Sequence, residues 1–131
     1  MRTFWLAAAS FLAVAAPAVA ETVKVDLDAA MPNAPGKHMS VITVGYAPGE
    51  ASKPHRHAGS GFLYARVLSG HIRSQVEGAG PARVYGPGEG WTEGPGAHHL
   101  VSANASTNEP ATLLVVFVAD AGDPLTVPDR P

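Results

Sequence analysis

The sequence predicts an all-β fold, a sandwich or barrel of short strands. Glycine and proline account for 14 and 12 of the 131 residues. They interrupt the chain after roughly every eight to twelve residues, a spacing typical of all-β proteins. Two turn signals complete the pattern: Ser69-Gly70 predicts a tight two-residue hairpin, and residues 77–82 predict a looser one. We therefore expect mainly antiparallel strands and almost no helix.

The segments between these turns are rich in β-branched and aromatic residues, which favour strands. The run 111–119 is too short to cross a bilayer as a helix and too apolar for a half-exposed strand. We therefore place it in the core. The strands are expected at 23–27, 41–46, 62–68, 71–76, 83–85, 90–92, 98–102 and 112–119.

The two ends of the chain differ in composition from the middle. Residues 1–20 combine a positive start at Arg2, an apolar stretch and the small residues Ala18-Val19-Ala20, which predicts a secretory signal peptide of bacterial type. Residues 21–131 then form a single domain, because this length supports one core. Its proline-rich tail, from about residue 120 to 131, should be extended and ordered only if it packs across a neighbour. We expect a periplasmic or secreted protein without a membrane span after cleavage.

Charge and cysteine content exclude several classes of protein. The formal net charge is −2, and the basic residues are scattered singly, so no patch for nucleic acid or for an anionic membrane is present. The chain has no cysteine, so an exported domain must be stabilised by apolar burial, bound metal or association instead of disulfides. A homodimer is therefore one expectation. A small molecule is the expected ligand.

The histidines carry the main functional signal. Four of the six fall in two groups, His55-Arg56-His57 and His98-His99. Side chains two apart on a strand share a face, so His55 and His57 can present two imidazoles to one ion while Arg56 points away. Residues 98 and 99 point to opposite faces, so only one of them can join this pair. Three imidazoles suit one divalent transition metal (Fe, Mn, Ni, Cu or Zn) and leave coordination positions open.

Around these histidines the sequence resembles the cupin family. The first cupin motif opens with a glycine followed at fixed spacing by His-x-His, and the segment from Gly49 to His57 reproduces that opening. Gly70 stands where the closing glycine belongs, after a short insertion. The glutamate of the motif is missing, and Leu63 stands in its place.

The second cupin motif is also present. Gly88, Gly96 and His99 match it in register, and its proline and asparagine are each displaced by one position, onto Pro95 and Asn104. The resemblance extends over residues 49–104. It implies a double-stranded β-helix, the jelly-roll-like barrel of cupins, with a metal near its axis. It also implies a three-histidine site, formed by His55, His57 and His99, like those of some cupin dioxygenases.

Five further residues are site candidates. Glu93, just before a turn, either swings inward as a carboxylate ligand in place of the missing glutamate or stays on the outer face. Tyr64, Arg66, Arg73 and Gln75 lie on the strands after the first motif, where alternate side chains line the cavity. The sequence does not show whether the odd-numbered or the even-numbered residues of each strand face the cavity. If the ligands are neutral only, we expect the ion and one of the two arginines to hold an anion together.

Two functional hypotheses follow. In the first, the chain is an exported metal-binding cupin that acts on a small organic molecule, a metal-dependent oxidoreductase with a dioxygenase-like three-histidine centre. In the second, the same barrel is a non-catalytic periplasmic module that binds a sugar or a carboxylate. A redox-active metal would favour the first, and zinc in closed four-coordination would favour the second. The identity of the metal and of the substrate is left open by the sequence.

Overall fold

The computed structural model describes residues 21–130, and every regular element in that range is a β-strand. The predicted all-β class is therefore confirmed. The predicted signal peptide, residues 1–20, lies outside the described residues. No helix within residues 21–130 is long and apolar enough to span a membrane. The strands are β1 (Thr22–Ala30), β2 (Lys37–Tyr46), β3 (His55–His57), β4 (Phe62–Ser69), β5 (Ile72–Val76), β6 (Arg83–Tyr85), β7 (Gly90–Glu93), β8 (His98–Asn104), β9 (Ala111–Asp120) and β10 (Thr126–Pro128).

The strands form two five-stranded sheets, in the orders β1-β2-β9-β4-β7 and β10-β3-β8-β5-β6. All the pairings of these strands are antiparallel, as expected. Neighbours in a sheet are mostly distant along the chain, so the chain crosses repeatedly from one sheet to the other. The inner faces of the two sheets enclose the core and the functional site.

The turn at Ser69-Gly70 does not close a hairpin, so that prediction is wrong. β4 pairs with β7 and β9, whereas β5 pairs with β6 and β8, and the turn carries the chain between the sheets. Gly70 has a φ of 69°, and a Cβ there would collide with the backbone of Pro110 and Ala111. The looser connection over residues 77–82 does join two paired strands, β5 and β6.

Alternating burial along β2, β4 and β9 places the apolar core between the sheets. On β9 the odd-numbered residues from Ala111 to Ala119 are buried and the intervening ones are half-buried, so the core strand expected there is present. Full burial of one medium-sized apolar side chain stabilises the fold by about 1.5–3 kcal/mol. The buried apolar cluster comprises Ile42, Val44, Tyr46, Leu63, Ala65, Val67, Ile72, Ala111, Leu113, Val115 and Phe117.

The C-terminal segment folds back onto its own chain. Leu125 packs against the core cluster, and β10 pairs with β3, with Thr126 opposite His57 and Pro128 opposite His55. This corrects the expectation that the tail is ordered only against a neighbour. As a result β3, which carries the His-x-His sequence, is an inner strand between β10 and β8.

Candidate metal centre

β3 and β8 bring three histidines together. His55 lies directly opposite His99 in the antiparallel pair, and cross-strand side chains in that position are about 4.5–5.5 Å apart. His57 is on the same face of β3, two residues further on. The ring centroids of His55 and His57 are 4.9 Å apart, those of His55 and His99 5.2 Å, and those of His57 and His99 6.0 Å. One nitrogen from each ring lies within 4.8 Å of the other two.

A β-bulge on β8 directs His99 into the barrel. The pairing with β5 passes from Gln75 opposite Val101 to Val76 opposite His99, so Leu100 is an extra residue on β8. Simple alternation would send residues 99 and 102 to opposite faces, but both are buried. Bulges commonly re-aim a side chain beside a functional site in this way.

Hydrogen bonds to backbone carbonyls fix the tautomers of His55 and His57. Nδ1 of His55 lies 2.8 Å from the carbonyl oxygen of Lys53, and Nδ1 of His57 lies 3.0 Å from that of Leu125. A carbonyl oxygen only accepts, so each Nδ1–H donates. In the neutral rings Nε2 therefore carries a lone pair. Outer hydrogen bonds of this kind orient metal-binding histidines.

His99 is held by a side chain. Its Nε2 lies 2.9 Å from the hydroxyl of Ser74, which leaves Nδ1 free for the centre. Burial lowers the pKa of His99 to about 4, with Glu93 opposing the shift and His55 and His57 adding to it. His99 is therefore neutral at neutral pH, the state that metal ligation requires.

Glu93, at the end of β7, points into the same site. It is 3% exposed, with Oε2 3.2 Å from Nε2 of His57 and Oε1 3.3 Å from Nδ1 of His99. The indole N–H of Trp91 donates to Oε1 at 2.9 Å. Of the two orientations that the sequence left open, Glu93 has the inward one.

The pairing of β4 with β7 explains how this carboxylate reaches the centre. Glu93 lies directly opposite Leu63, the residue that stands in place of the motif glutamate. Leu63 is 2% exposed and lines the cavity. The carboxylate is therefore supplied by β7 instead of by β4, where the cupin motif has its glutamate, and it lies on the same face of the sheet. Gly90 permits the close approach of β7, because a Cβ there would collide with the carbonyl oxygen of Ala65.

Two buried polar atoms of the centre, Nε2 of His57 and Oε2 of Glu93, have no hydrogen-bond partner within the described residues. They lie 3.2 Å apart without the alignment of a hydrogen bond. Since Nδ1–H of His57 is committed to Leu125, both atoms are acceptors in the neutral ring. An unsatisfied buried polar group costs about 1–3 kcal/mol, so a proton or a cation between the two atoms is favoured. The residues therefore fit a bound metal ion.

The four cavity candidates on β4 and β5 lie outside the cavity. Tyr64, Arg66 and Arg73 are exposed on the outer faces of the sheets, and Gln75 is half-buried on the same side of β5 as Arg73. Their assignment to the cavity is therefore corrected, and so is the expectation that an arginine shares an anion with the ion. The inward positions of these strands belong to Leu63, Ala65, Val67, Ile72 and Ser74.

His98 lies on the outer side of the sheet. Its Nε2 is 2.7 Å from Asp129 and its Nδ1 is 3.2 Å from Glu77, while the guanidinium of Arg56 is 3.1 Å from Nδ1. The hydrogen bond with Asp129, helped by Glu77, raises the pKa of His98. Only one of the adjacent histidines therefore joins the centre, as the alternation of a strand requires.

Four groups that position the ligands were not singled out from the sequence: the Ser74 hydroxyl, the backbone carbonyls of Lys53 and Leu125, and the Trp91 indole. Ser74 shares a face with buried Ile72, so a polar residue at an inward strand position was the signal for it. Trp91 packs against the core cluster, so its sequence signal is that of an ordinary core residue. A backbone carbonyl such as that of Leu125 leaves no signal in the sequence.

A family model described as the cupin domain matches residues 42–117. This chain is a cupin. The match includes all three histidines of the centre and Glu93. A comparison with curated protein sequences finds no match.

Solved structures share the fold of this cupin. An uncharacterized conserved protein with a double-stranded β-helix domain from Klebsiella pneumoniae is 21% identical, with a TM-score of 0.63 over 85% of this chain and 86% of that one. A recombinant oxalate oxidase in complex with glycolate is 23% identical (TM-score 0.64, 86% of this chain and 56% of that one). The DMSP lyase DddQ from Ruegeria pomeroyi is 22% identical (TM-score 0.58, 71% and 44%). The double-stranded β-helix predicted from the motifs is thereby confirmed.

Proposed function

We propose that this cupin is an exported protein that binds one divalent transition metal and acts on a small organic molecule beside the ion. The proposed ligands are His55, His57, His99 and Glu93. The observation that carries the proposal is the pair of buried acceptors, Nε2 of His57 and Oε2 of Glu93, that face each other at 3.2 Å. A dication between them satisfies both atoms at once.

The ligand set supports a transition metal. Imidazole nitrogen suits Fe, Mn, Ni, Cu and Zn, and a carboxylate is accepted by the same ions. When bound, such an ion supplies Lewis-acid activation of an oxygen-donor ligand and, for a redox-active metal, electron-transfer chemistry. The chain supplies orientation: Ser74 holds the ring of His99, and the indole of Trp91 holds the carboxylate of Glu93.

Access to the centre supports an enzyme. A cavity of about 460 Å³ adjoins the histidines, within the roughly 300–1,000 Å³ typical of small-molecule sites. The cupins of similar fold include an oxalate oxidase and a DMSP lyase. These features favour a metal-dependent enzyme, in the first place an oxidoreductase, over a module that only binds.

Metal analysis of the protein isolated from a bacterial periplasm tests the proposal. We expect about one ion per chain in the wild type and a loss of that ion in His57→Ala and His99→Ala, because too few ligands then compete with water. His38→Ala is the matched control, since His38 contacts Asp28 on β1, away from the centre. Wild-type protein without stoichiometric metal, or His57→Ala with a full complement, would overturn the proposal. Zinc closed by four protein ligands would favour a binding module.

The export part of the proposal rests on residues 1–20 alone. We expect the periplasmic fraction to contain a chain that begins at Glu21, identified by intact-mass spectrometry. Full-length protein confined to the cytoplasm would contradict export without affecting the metal proposal.

A further inference from the structure

The cavity beside the metal centre has a largely apolar wall. From this we infer that its ligand is an amphipathic monoanion, with one oxygen-donor head group at the ion and an aromatic or branched apolar body. This inference rests on the metal site proposed above and names the class of molecule that the site takes.

Apolar side chains surround the three histidines. The ring of Phe117 lies 5.4 Å from that of His57, and the ring of Trp91 lies 6.2 Å from that of His99. Trp91 itself packs against Tyr85, with the ring centroids 4.6 Å apart and the rings tilted by 38°. A ligand bound at the ion therefore lies against aromatic rings. The aliphatic part of the wall includes Ile42, Val44, Leu63, Leu113, Val115 and Leu125.

The apolar lining continues to a rim of exposed side chains. Val23 and Val25 of β1 line the cavity although they are 57% and 62% exposed. Leu125 and Pro128 line it from the C-terminal segment. An apolar ligand body between these two segments would bury valine surface that now faces water, which favours binding.

The charges of the site limit the head group to one negative charge. A dication and the single carboxylate of Glu93 leave one positive charge, since the imidazole ligands are neutral. Among the described residues that line the cavity, Lys53 is the one lysine or arginine, and Glu21 lines the same cavity. A second carboxylate at the far end of the apolar body could not reach the ion, and it would lie among mostly apolar side chains with Lys53 as the one cation of the lining, which is costly. A monoanion is therefore matched to the site, and a dianion whose second charge is on the apolar body is not.

The two tryptophans of the chain make the test direct, because Trp5 lies in the predicted signal peptide and Trp91 lines the cavity. The tryptophan fluorescence of the chain from residue 21 to residue 131 therefore comes from Trp91 and reports on the cavity. Protein saturated with Mn²⁺ is titrated with 3-phenylpropionate, acetate and 3-(4-carboxyphenyl)propionate. Acetate has the same head group without the apolar body, and 3-(4-carboxyphenyl)propionate keeps the body and adds a second charge at its far end.

We expect 3-phenylpropionate to bind at least about tenfold more tightly than either of the other two. Acetate buries no apolar body, and the second carboxylate of 3-(4-carboxyphenyl)propionate would be buried at a cost. Binding should be lost when a chelator removes the metal. Equal or weaker binding of 3-phenylpropionate overturns the inference, and so does unchanged binding without metal. Protein that takes up no Mn²⁺ rejects the metal site itself, whereas protein that loads normally but shows no preference rejects only the ligand class.

A pair of valine variants tests the path of the apolar body. Val25→Gln should weaken binding of 3-phenylpropionate by roughly fivefold, because part of the apolar contact is lost, and should leave acetate unchanged. Val127→Gln is the matched control: Val127 is 48% exposed and does not line this cavity. If Val25→Gln and Val127→Gln bind 3-phenylpropionate with equal affinity, the apolar part of the ligand does not contact Val25. That result would contradict the orientation assigned to the ligand.

Discussion

Replacing Glu93 by glutamine distinguishes a metal centre from a buried ion pair. Glutamine keeps the shape of the side chain, removes its charge and adds an N–H donor. The amide oxygen can keep the 2.9 Å hydrogen bond from Trp91, and the amide nitrogen then takes the place of Oε2, 3.2 Å from Nε2 of His57. In the metal-free protein the substitution turns two facing acceptors into a donor and an acceptor.

Two effects of opposite sign follow for Glu93→Gln. Satisfying both buried groups stabilises the metal-free protein by about 1–3 kcal/mol, which raises the Tm of a domain of this size by roughly 4 °C or more for each kcal/mol. Loss of the anionic ligand weakens metal binding by more than the roughly 10–100-fold seen for groups that only orient a ligand. The variant is therefore more stable than the wild type without metal and gains less from added metal.

Thermal unfolding with chelator and with added metal measures both effects, and a competition titration gives the metal affinity. Glu77→Gln is the control, since that exposed carboxylate contacts His98 and Arg56 outside the barrel, and neither quantity should change much. A metal-free Glu93→Gln variant that is less stable than the wild type would show that the two atoms are not facing acceptors. Glu93 would then pair with a protonated His57, and breaking such a buried pair costs about 3–5 kcal/mol.

Three more predictions concern residues around the centre and away from it. His98→Ala should leave the metal content unchanged in elemental analysis, because the ring contacts Glu77 and Asp129 on the outer side; an emptied site would mean that His98 is a ligand. Exchanging the two residues across β4 and β7, Leu63→Glu with Glu93→Leu, should restore the metal that Glu93→Leu alone loses, since the positions are directly opposed. An empty double variant would show that position 63 does not face the ion. Glu89 accepts a hydrogen bond from the Gly86 N–H at 2.7 Å and contacts Arg83 at 3.2 Å, and these contacts lower the pKa of Glu89 below its ordinary 4.5. A carboxylate whose pKa is lower in the folded than in the unfolded protein stabilises the fold at pH values above its unfolded-state pKa. The Tm difference between wild type and Glu89→Gln should therefore be present at pH 7 and disappear as the pH falls through the folded-state pKa of Glu89. A Tm difference that stays constant with pH would contradict this.

Eight of the ten strands within residues 21–130 and the three histidines were predictable because their signals are local, whereas the three-residue strands β3 and β10 were not predicted. Glycine and proline between β-rich segments fixed most strand positions to within a few residues, and the His-x-His spacing placed two imidazoles on one face. The choice of His99 over His98 came from the register of the second cupin motif. In the structure the bulge at Leu100 lets His99 point inward together with Ser102.

The remaining errors have non-local causes. β4 carries apolar residues on both faces, with Phe62 and Leu68 exposed and Leu63 and Val67 buried, so alternation could not show which face is inward. The orientation of Glu93 depends on the pairing of β7 with β4, which is set by contacts between distant parts of the chain.

Turn and tail chemistry were ambiguous for a related reason. A Ser-Gly turn can close a hairpin or connect two different sheets. At Gly70 the chain passes to the other sheet, where the glycine packs closely against the backbone of Pro110. The tail has few apolar residues, so its pairing with β3 became evident only once Leu125 was seen to pack against the core.

Anomalous X-ray diffraction from crystals of the metal-loaded protein, recorded at the absorption edge of the bound ion, locates the ion itself. We expect one strong peak inside the barrel, about 2.0–2.2 Å from a nitrogen of each of His55, His57 and His99 and from an oxygen of Glu93. A peak near Tyr64, Arg66 or His98 on the outer surface, or no peak within reach of the three histidines, would contradict this expectation.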